Sequence, residues 1–178
     1  INATYPAFEV ALKAAGVEVV HELAGVGGNL QDHLQIRTIF KISGAQTLNQ
    51  MAGSLFGKVR IAADYVLRRR GPMTMAPSQL GIFAKSDPSF ATANIEYHVQ
   101  PLSLDSFGQP LHRFPAVTMS VCNLRPQSRG SVRITAPEPT ITPAIDPNYL
   151  SDQSDRKVAA DSIRHARRLM ATRAMTPF

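Results

Sequence analysis

The chain has 178 residues, 44% of them hydrophobic and 18% charged, which excludes general disorder and leaves enough length to bury a core unaided. Its 13 prolines and 11 glycines follow no period, and its single cysteine, Cys122, excludes an internal disulfide or a multi-cysteine zinc site. Nineteen basic against 13 acidic residues give a net charge of +6, which favours anionic partners.

In chain order, Phe8, Ala11, Leu12 and Ala15 share one face of an expected short helix. Thr4 is its candidate cap and Gly16 its stop. Val17 to Leu23 alternates like a short strand, and a turn rich in glycine follows at Gly25, Gly27 and Gly28. From Leu34 to Ile42 the alternation of Leu34, Ile36, Phe40 and Ile42 against Gln35, Arg37 and Lys41 predicts a half-buried strand. Leu48, Met51, Leu55, Val59, Ala62 and Val66 then recur at helical spacing. Thr47 or Asn49 caps that helix and Gly71-Pro72 ends it.

Four strands are expected next, at 79–84, 94–100, 116–124 and 130–135. A polar loop, long enough to be functional or mobile, fills 101–115. Pro137, Pro139, Pro143 and Pro147 keep the following segment out of a sheet centre. A last helix begins near Ser154 with Val158, Ala159, Ile163, Ala166 and Met170 on one face. The sum is an α+β fold, a mainly antiparallel sheet with helices packed on one face.

Motif chemistry taken alone is sparse. The run Gly25-Val26-Gly27-Gly28-Asn29 has Leu30 where a dinucleotide fingerprint needs its third glycine, and a strand follows where a helix is required. No serine elbow occurs, and the five histidines show no spacing for a metal, so no metal site is expected. Cys122, in an apolar strand pattern, reads as a small core residue. The arginine clusters lack interleaved aromatics, which argues against a nucleic-acid partner. The lone cysteine fits a reducing compartment, and a cytoplasmic location is expected.

Several blocks nevertheless resemble one family. Gly25-Val26-Gly27-Gly28-Asn29-Leu30-Gln31-Asp32-His33-Leu34 is similar to the "PGVG-x-NLQDHL" segment of the glucose–methanol–choline (GMC) flavin oxidoreductases. Asn94-Ile95-Glu96-Tyr97-His98 resembles "PDIQ-[YF]-H", and Arg125 to Val132 resembles "RP-x-SRG-x-V". Pro143 to Ser151 resembles "P-x-I-[DN]-x-NYLS", and Gly71-Pro72-Met73-Thr74 resembles the "GPL" segment. The blocks run in the family's order along nearly the whole chain.

The resemblance implies a parent enzyme that uses FAD to oxidise the CH–OH group of an alcohol. It also implies that the nucleotide-binding glycines and the catalytic histidine lie outside this segment. No catalytic residue is therefore expected here, the segment alone is expected to be inactive, and FAD is expected bound only to the parent. Residues 1–38 correspond to the end of the FAD-domain region, and 39–178 to the substrate-binding domain. Asn29, Asp32 and His33 are implied to lie next to the flavin, with Asn29 and Asp32 as structural anchors. His98 matches a histidine that borders the substrate in choline-oxidising members.

Gln79 stands where those members carry a glutamate against the quaternary ammonium, so a neutral alcohol is the expected substrate. Ser128-Arg129-Gly130 reads as a turn entering a strand. Implied partners are the alcohol, the FAD-binding domain of the same parent and, through an exposed face, a second copy. Membrane association of the parent stays open. The alternative is a self-sufficient basic module for an anionic ligand or nucleic acid.

Overall fold

The computed structural model describes residues 6–21, 23, 25–106, 108–136, 138 and 140–178; side chains are described from residue 10 onward. Thr4, Pro137 and Pro139, and the side chain of Phe8, lie outside the described residues. Contacts divide the chain into two compact units, Ile1–Leu34 with Arg125–Lys157, and Gln35–Leu124 with Val158–Phe178.

The first unit opens with α1 (Pro6–Ala14). Gly16 ends it at φ 70°, and its N–H donates to the Lys13 carbonyl while that of Val17 donates to Leu12. That pair of bonds satisfies two of the last helical carbonyls, and the left-handed residue is cheapest as glycine. The expected strand at 17–23 does not form among the described residues. Val17 is 36% exposed, Val20 79% and Leu23 48%, and no ladder pairs them. Alternation makes a strand only when a neighbouring strand takes up its backbone bonds.

The glycine turn does form, with Gly27 at φ 79°. It leads to a bridge between Leu30 and Gly130, where each N–H donates to the other's carbonyl at 3.0 and 2.9 Å. A short hairpin of β5 (Ser131–Arg133) and β6 (Ala144–Asp146) completes the unit. Gly130 is required by space: a Cβ there would stand 2.1 Å from the Asp146 carbonyl oxygen.

The second unit holds β1 (Gln35–Lys41), β2 (Leu80–Ala84), β3 (Ile95–Gln100) and β4 (Ala116–Asn123). They form one antiparallel sheet in the order β1-β4-β3-β2, close to the expected boundaries. The register stacks Ile36 on Val121 and Val121 on Tyr97, and Tyr97 pairs with Ile82. These residues point to one face, because side chains alternate along each strand. Val158 and Ala166 of α4 (Gln153–Met170) join Ile95, Tyr97, Met119 and Val121 in the buried core. The fold class is the α+β antiparallel arrangement that the patterning predicts.

Two helical expectations are corrected. The single helix from Leu48 breaks into α2 (Leu48–Met51) and α3 (Leu55–Arg68), with Ser54 capping the second through the Gly57 N–H. Arg69, left-handed at φ 53°, ends α3 before Gly71 is reached. The apolar stripe expected inward is outward, with Leu55 79%, Val59 57% and Val66 64% exposed. On the opposite side Gly57 lies close to α2, where a Cβ would stand 2.0 Å from the Met51 carbonyl oxygen. The Gly57, Ile61, Asp64 and Tyr65 side is the half-buried one.

The loop expected to be functional or mobile is held at Ser103 and His112 by Asn49, which is 4% exposed. Its amide nitrogen donates to the Ser103 and His112 carbonyls, and its oxygen accepts from the Ser103 N–H. Leu104 and Leu111 bridge, and His112 stacks on Phe114. Thr47, the other cap candidate, stands at the start of α2, where Gln50 accepts its N–H at 3.1 Å.

Candidate functional site

With one face of the four-stranded sheet committed to the core, the other face carries the polar side chains of the same strands. On β3 these are Glu96, His98 and Gln100, and on β4 they are Thr118, Ser120 and Cys122. The register sets His98 against Ser120 on one side and Gly81 on the other, and Glu96 against Cys122. Gln79 precedes β2, its N–H donating to the Val99 carbonyl at 3.0 Å. His98 thus stands on the polar face beside Gly81, where a Cβ would meet open space, whereas Gln79 lies just outside β2 and opposes Val99 together with Leu80.

His98 is 34% and Glu96 21% exposed in their side chains, with His98 Nε2 3.7 Å from Glu96 Oε1. Cys122 is 2% exposed, in keeping with a small buried residue. Burial pushes its thiol above the usual range, and the Glu96 charge pushes it further, against a bond from the Glu96 backbone. Glu96, His98 and Cys122 bring their donor atoms within 4.8 Å of one another. Spacing along the chain misses this group, because its third member arrives from a neighbouring strand.

A cavity of about 790 Å³ opens elsewhere in this unit, lined by Asn49, Lys58, His112 and Arg113 among others. Neither Gln79 nor His98 lines it.

The first unit gathers three of the sequence blocks into one knot. Asn29 is left-handed at φ 56° and exposed. The Tyr149 hydroxyl donates to the Asp32 carboxylate, which also accepts the His33 N–H at 2.9 Å. This bond to Asp32 holds the Tyr149 hydroxyl above its ordinary range, with smaller contributions from burial and the Asp32 charge. Asn148, left-handed at φ 51°, donates from its amide to the Arg129 carbonyl at 3.0 Å. Arg129 donates to the Pro126 and Ser128 carbonyls and to Gln31, whose amide oxygen faces the guanidinium.

Asp155, 4% exposed in the first turn of α4, accepts from the Gln127 and Ser128 N–H groups and from the Ser128 hydroxyl at 2.5 Å. Burial alone would raise its carboxyl. The Ser128 hydroxyl, these amides and the Arg129 charge outweigh that and hold it below the usual range. Ser128-Arg129-Gly130 is therefore a strand-entry turn locked by hydrogen bonds, as its sequence suggests.

A four-stranded antiparallel sheet with one helix-backed face and one polar face defines an α+β domain. Residues 126–177 match the family model described as GMC oxidoreductase. The chain is 33% identical over 165 residues to an alcohol dehydrogenase [acceptor] of Pseudomonas putida, covering 92% of this chain and 30% of that protein. It is 35% identical over 169 residues to an oxygen-dependent choline dehydrogenase of Vibrio vulnificus (strain YJ016), covering 94% and 30%. A pyridoxine 4-oxidase from Mesorbium loti shares its fold with a TM-score of 0.69 at 22% identity, over 95% of this chain and 29% of the other. A formate oxidase aligns at 0.77 and 15% identity, over 94% and 33%. The chain belongs to the GMC oxidoreductase family, and it spans about a third of the length of these relatives.

FAD, the cofactor that this membership implies, needs a glycine turn running into a helix N-terminus for its pyrophosphate. Here the turn at Gly27 runs into the Leu30 bridge and then β1. The described residues do not fit that part of the cofactor.

Proposed function

We propose that this chain is the substrate-facing region of an FAD-dependent oxidoreductase that acts on the CH–OH group of a neutral alcohol. The observation that carries this reading is the placement of His98 on the polar face of a sheet whose other face is the core. A histidine in that position can donate a hydrogen bond to the alcohol oxygen as negative charge develops on it. The sheet fixes its backbone, so little reorganisation accompanies the reaction. Gln79 offers an amide where a cationic substrate would favour a carboxylate. Glu96, the carboxylate that does stand on this face, is directed at His98.

Asn29, Asp32 and His33 belong, in this reading, to the flavin-facing side, with residues 1–38 as the end of the FAD-domain region. Asp32 acts there as an anchor through Tyr149. The hydride acceptor and the proton acceptor lie in the rest of the parent, so the chain alone is inactive.

The test uses the full-length parent. His98→Asn is expected to lower kcat roughly 10²-fold, the usual loss for one donor to a developing oxyanion, with a smaller change in KM. Gln79→Glu is expected to raise kcat/KM for choline relative to a neutral isostere by about tenfold or more, since a charged partner contributes about 1.5–3 kcal/mol. Unchanged kcat in the first variant and unchanged relative rates in the second would remove both residues from the site.

A further inference from the structure

We propose that Glu96, His98 and Cys122 form a binding site for a zinc-class divalent cation on the polar face of the sheet. Glu96 and His98 lie two residues apart on β3 and so point the same way. Cys122 is the direct partner of Glu96 on β4. One carboxylate oxygen, one imidazole nitrogen and one sulfur all lie within 4.8 Å of one another, and the nitrogen and oxygen are already 3.7 Å apart. In a tetrahedral zinc site, bonds of about 2.0–2.3 Å put ligand atoms roughly 3.2–3.8 Å apart. Side-chain rotation alone is needed to close the remaining ångström.

The donor set selects the metal. Thiolate with imidazole favours zinc, cobalt or cadmium, whereas calcium and magnesium require a shell of oxygens. Three protein ligands leave a fourth position open for water or another small ligand. The backbone positions are set by the ladder, so binding orders only three side chains. Cys122 is closed off, and the cation enters past Glu96 and His98, the more exposed members. As the metal–sulfur bond forms, the S–H bond of Cys122 breaks and its proton passes to the buffer. No electron is transferred.

The experiment titrates Co²⁺ into the reduced chain without oxygen and then displaces it with Zn²⁺. One equivalent should bind, giving the visible bands of four-coordinate cobalt and a near-ultraviolet thiolate-to-cobalt band. Cys122→Ser should abolish the near-ultraviolet band. Glu96→Gln and His98→Asn should each weaken binding tenfold or more, while the exposed His21→Ala should leave it unchanged. Circular dichroism verifies each fold. Should Cys122→Ser fail to fold, the Glu96 and His98 variants and the wild-type spectrum still decide. Absence of saturable binding, a wild-type spectrum without the thiolate band, or equal binding by Glu96→Gln and His98→Asn would overturn the proposal.

Discussion

Tyr97 shows how one residue joins core and chemistry. Its ring is fully buried, and its hydroxyl donates to the Ser162 carbonyl at 2.7 Å. His165 Nδ1 stands 3.0 Å from that hydroxyl and acts as donor, because the hydroxyl proton is already committed. Burial pushes the phenol up to about 12, only partly countered by the Arg168 charge. Burial also holds His165 below its ordinary range, with the Arg168 charge adding to the effect. Tyr97→Phe should cost about 0.5–1.5 kcal/mol in urea unfolding at pH 7.5. His165 takes a proton more readily unfolded than folded, so its contribution is complete above its unfolded value of about 6.5 and declines as pH falls below it. Midpoints measured between pH 8 and 5 should show that decline in the wild type and less of it in His165→Asn. Asp155 works in a lower window. Its native carboxyl is depressed, so its stabilisation is present above about pH 3.9 and lost as pH falls through the native value. Asp155→Ala should remove about 2–4 kcal/mol at pH 7, because the Gln127 and Ser128 N–H groups lose a buried, charged acceptor. The same variant should flatten the acid limb below pH 4.

At the scale of elements, the four strands of the larger sheet were legible, whereas a strand expected at 17–23 did not form among the described residues and the direction of the α3 face was not foreseen. The expected strands coincide with β1 through β4 within a residue or two; alternation carried β1, while β4 is buried along nearly its whole length. In α4 the period was right, but Ser162, buried at 2%, was missed because it is polar. Its hydroxyl donates to the Ala159 carbonyl, so it enters the core with its proton satisfied. In α3 the stripe of Leu55, Phe56, Val59, Val66 and Leu67 has correct helical spacing but faces outward. The contrast can be measured. Phe56→Ser or Val59→Ser should change unfolding free energy by less than about 0.5 kcal/mol, as exposed substitutions do. Ile95→Ala or Val121→Ala should cost about 2–4 kcal/mol through the cavity left behind.

At the scale of the whole molecule, the exposed stripe on α3 and the net charge of +6 oppose each other. Apolar area favours contact between copies, and like charge resists it with a strength that salt removes. Sedimentation should therefore show self-association that rises with both protein and salt concentration. The double variant Phe56→Ser, Val59→Ser should reduce it. FAD titrated into the chain should give no saturable fluorescence quenching at micromolar flavin, because the turn at Gly27 runs into a bridge and a strand. One-to-one quenching would reveal a cofactor site with a different architecture.

What the sequence by itself determined was local or shared with relatives: the positions of the four strands of the larger sheet, the Gly16 stop, the failed dinucleotide motif and the family blocks. Each depends on a few consecutive residues, or on spacing that survives in one dimension. Gln79 and His98 were singled out through the family resemblance alone, since neither carries a motif of its own. Only the tertiary structure decided which residues meet. The Asp32–Tyr149 bond, the grip of Asp155 on Ser128 and the Glu96, His98 and Cys122 group all join residues that are distant in the chain or on different strands. The outward stripe of α3 belongs with them. Periodicity states which side chains share a face, but the direction of that face depends on what packs against it.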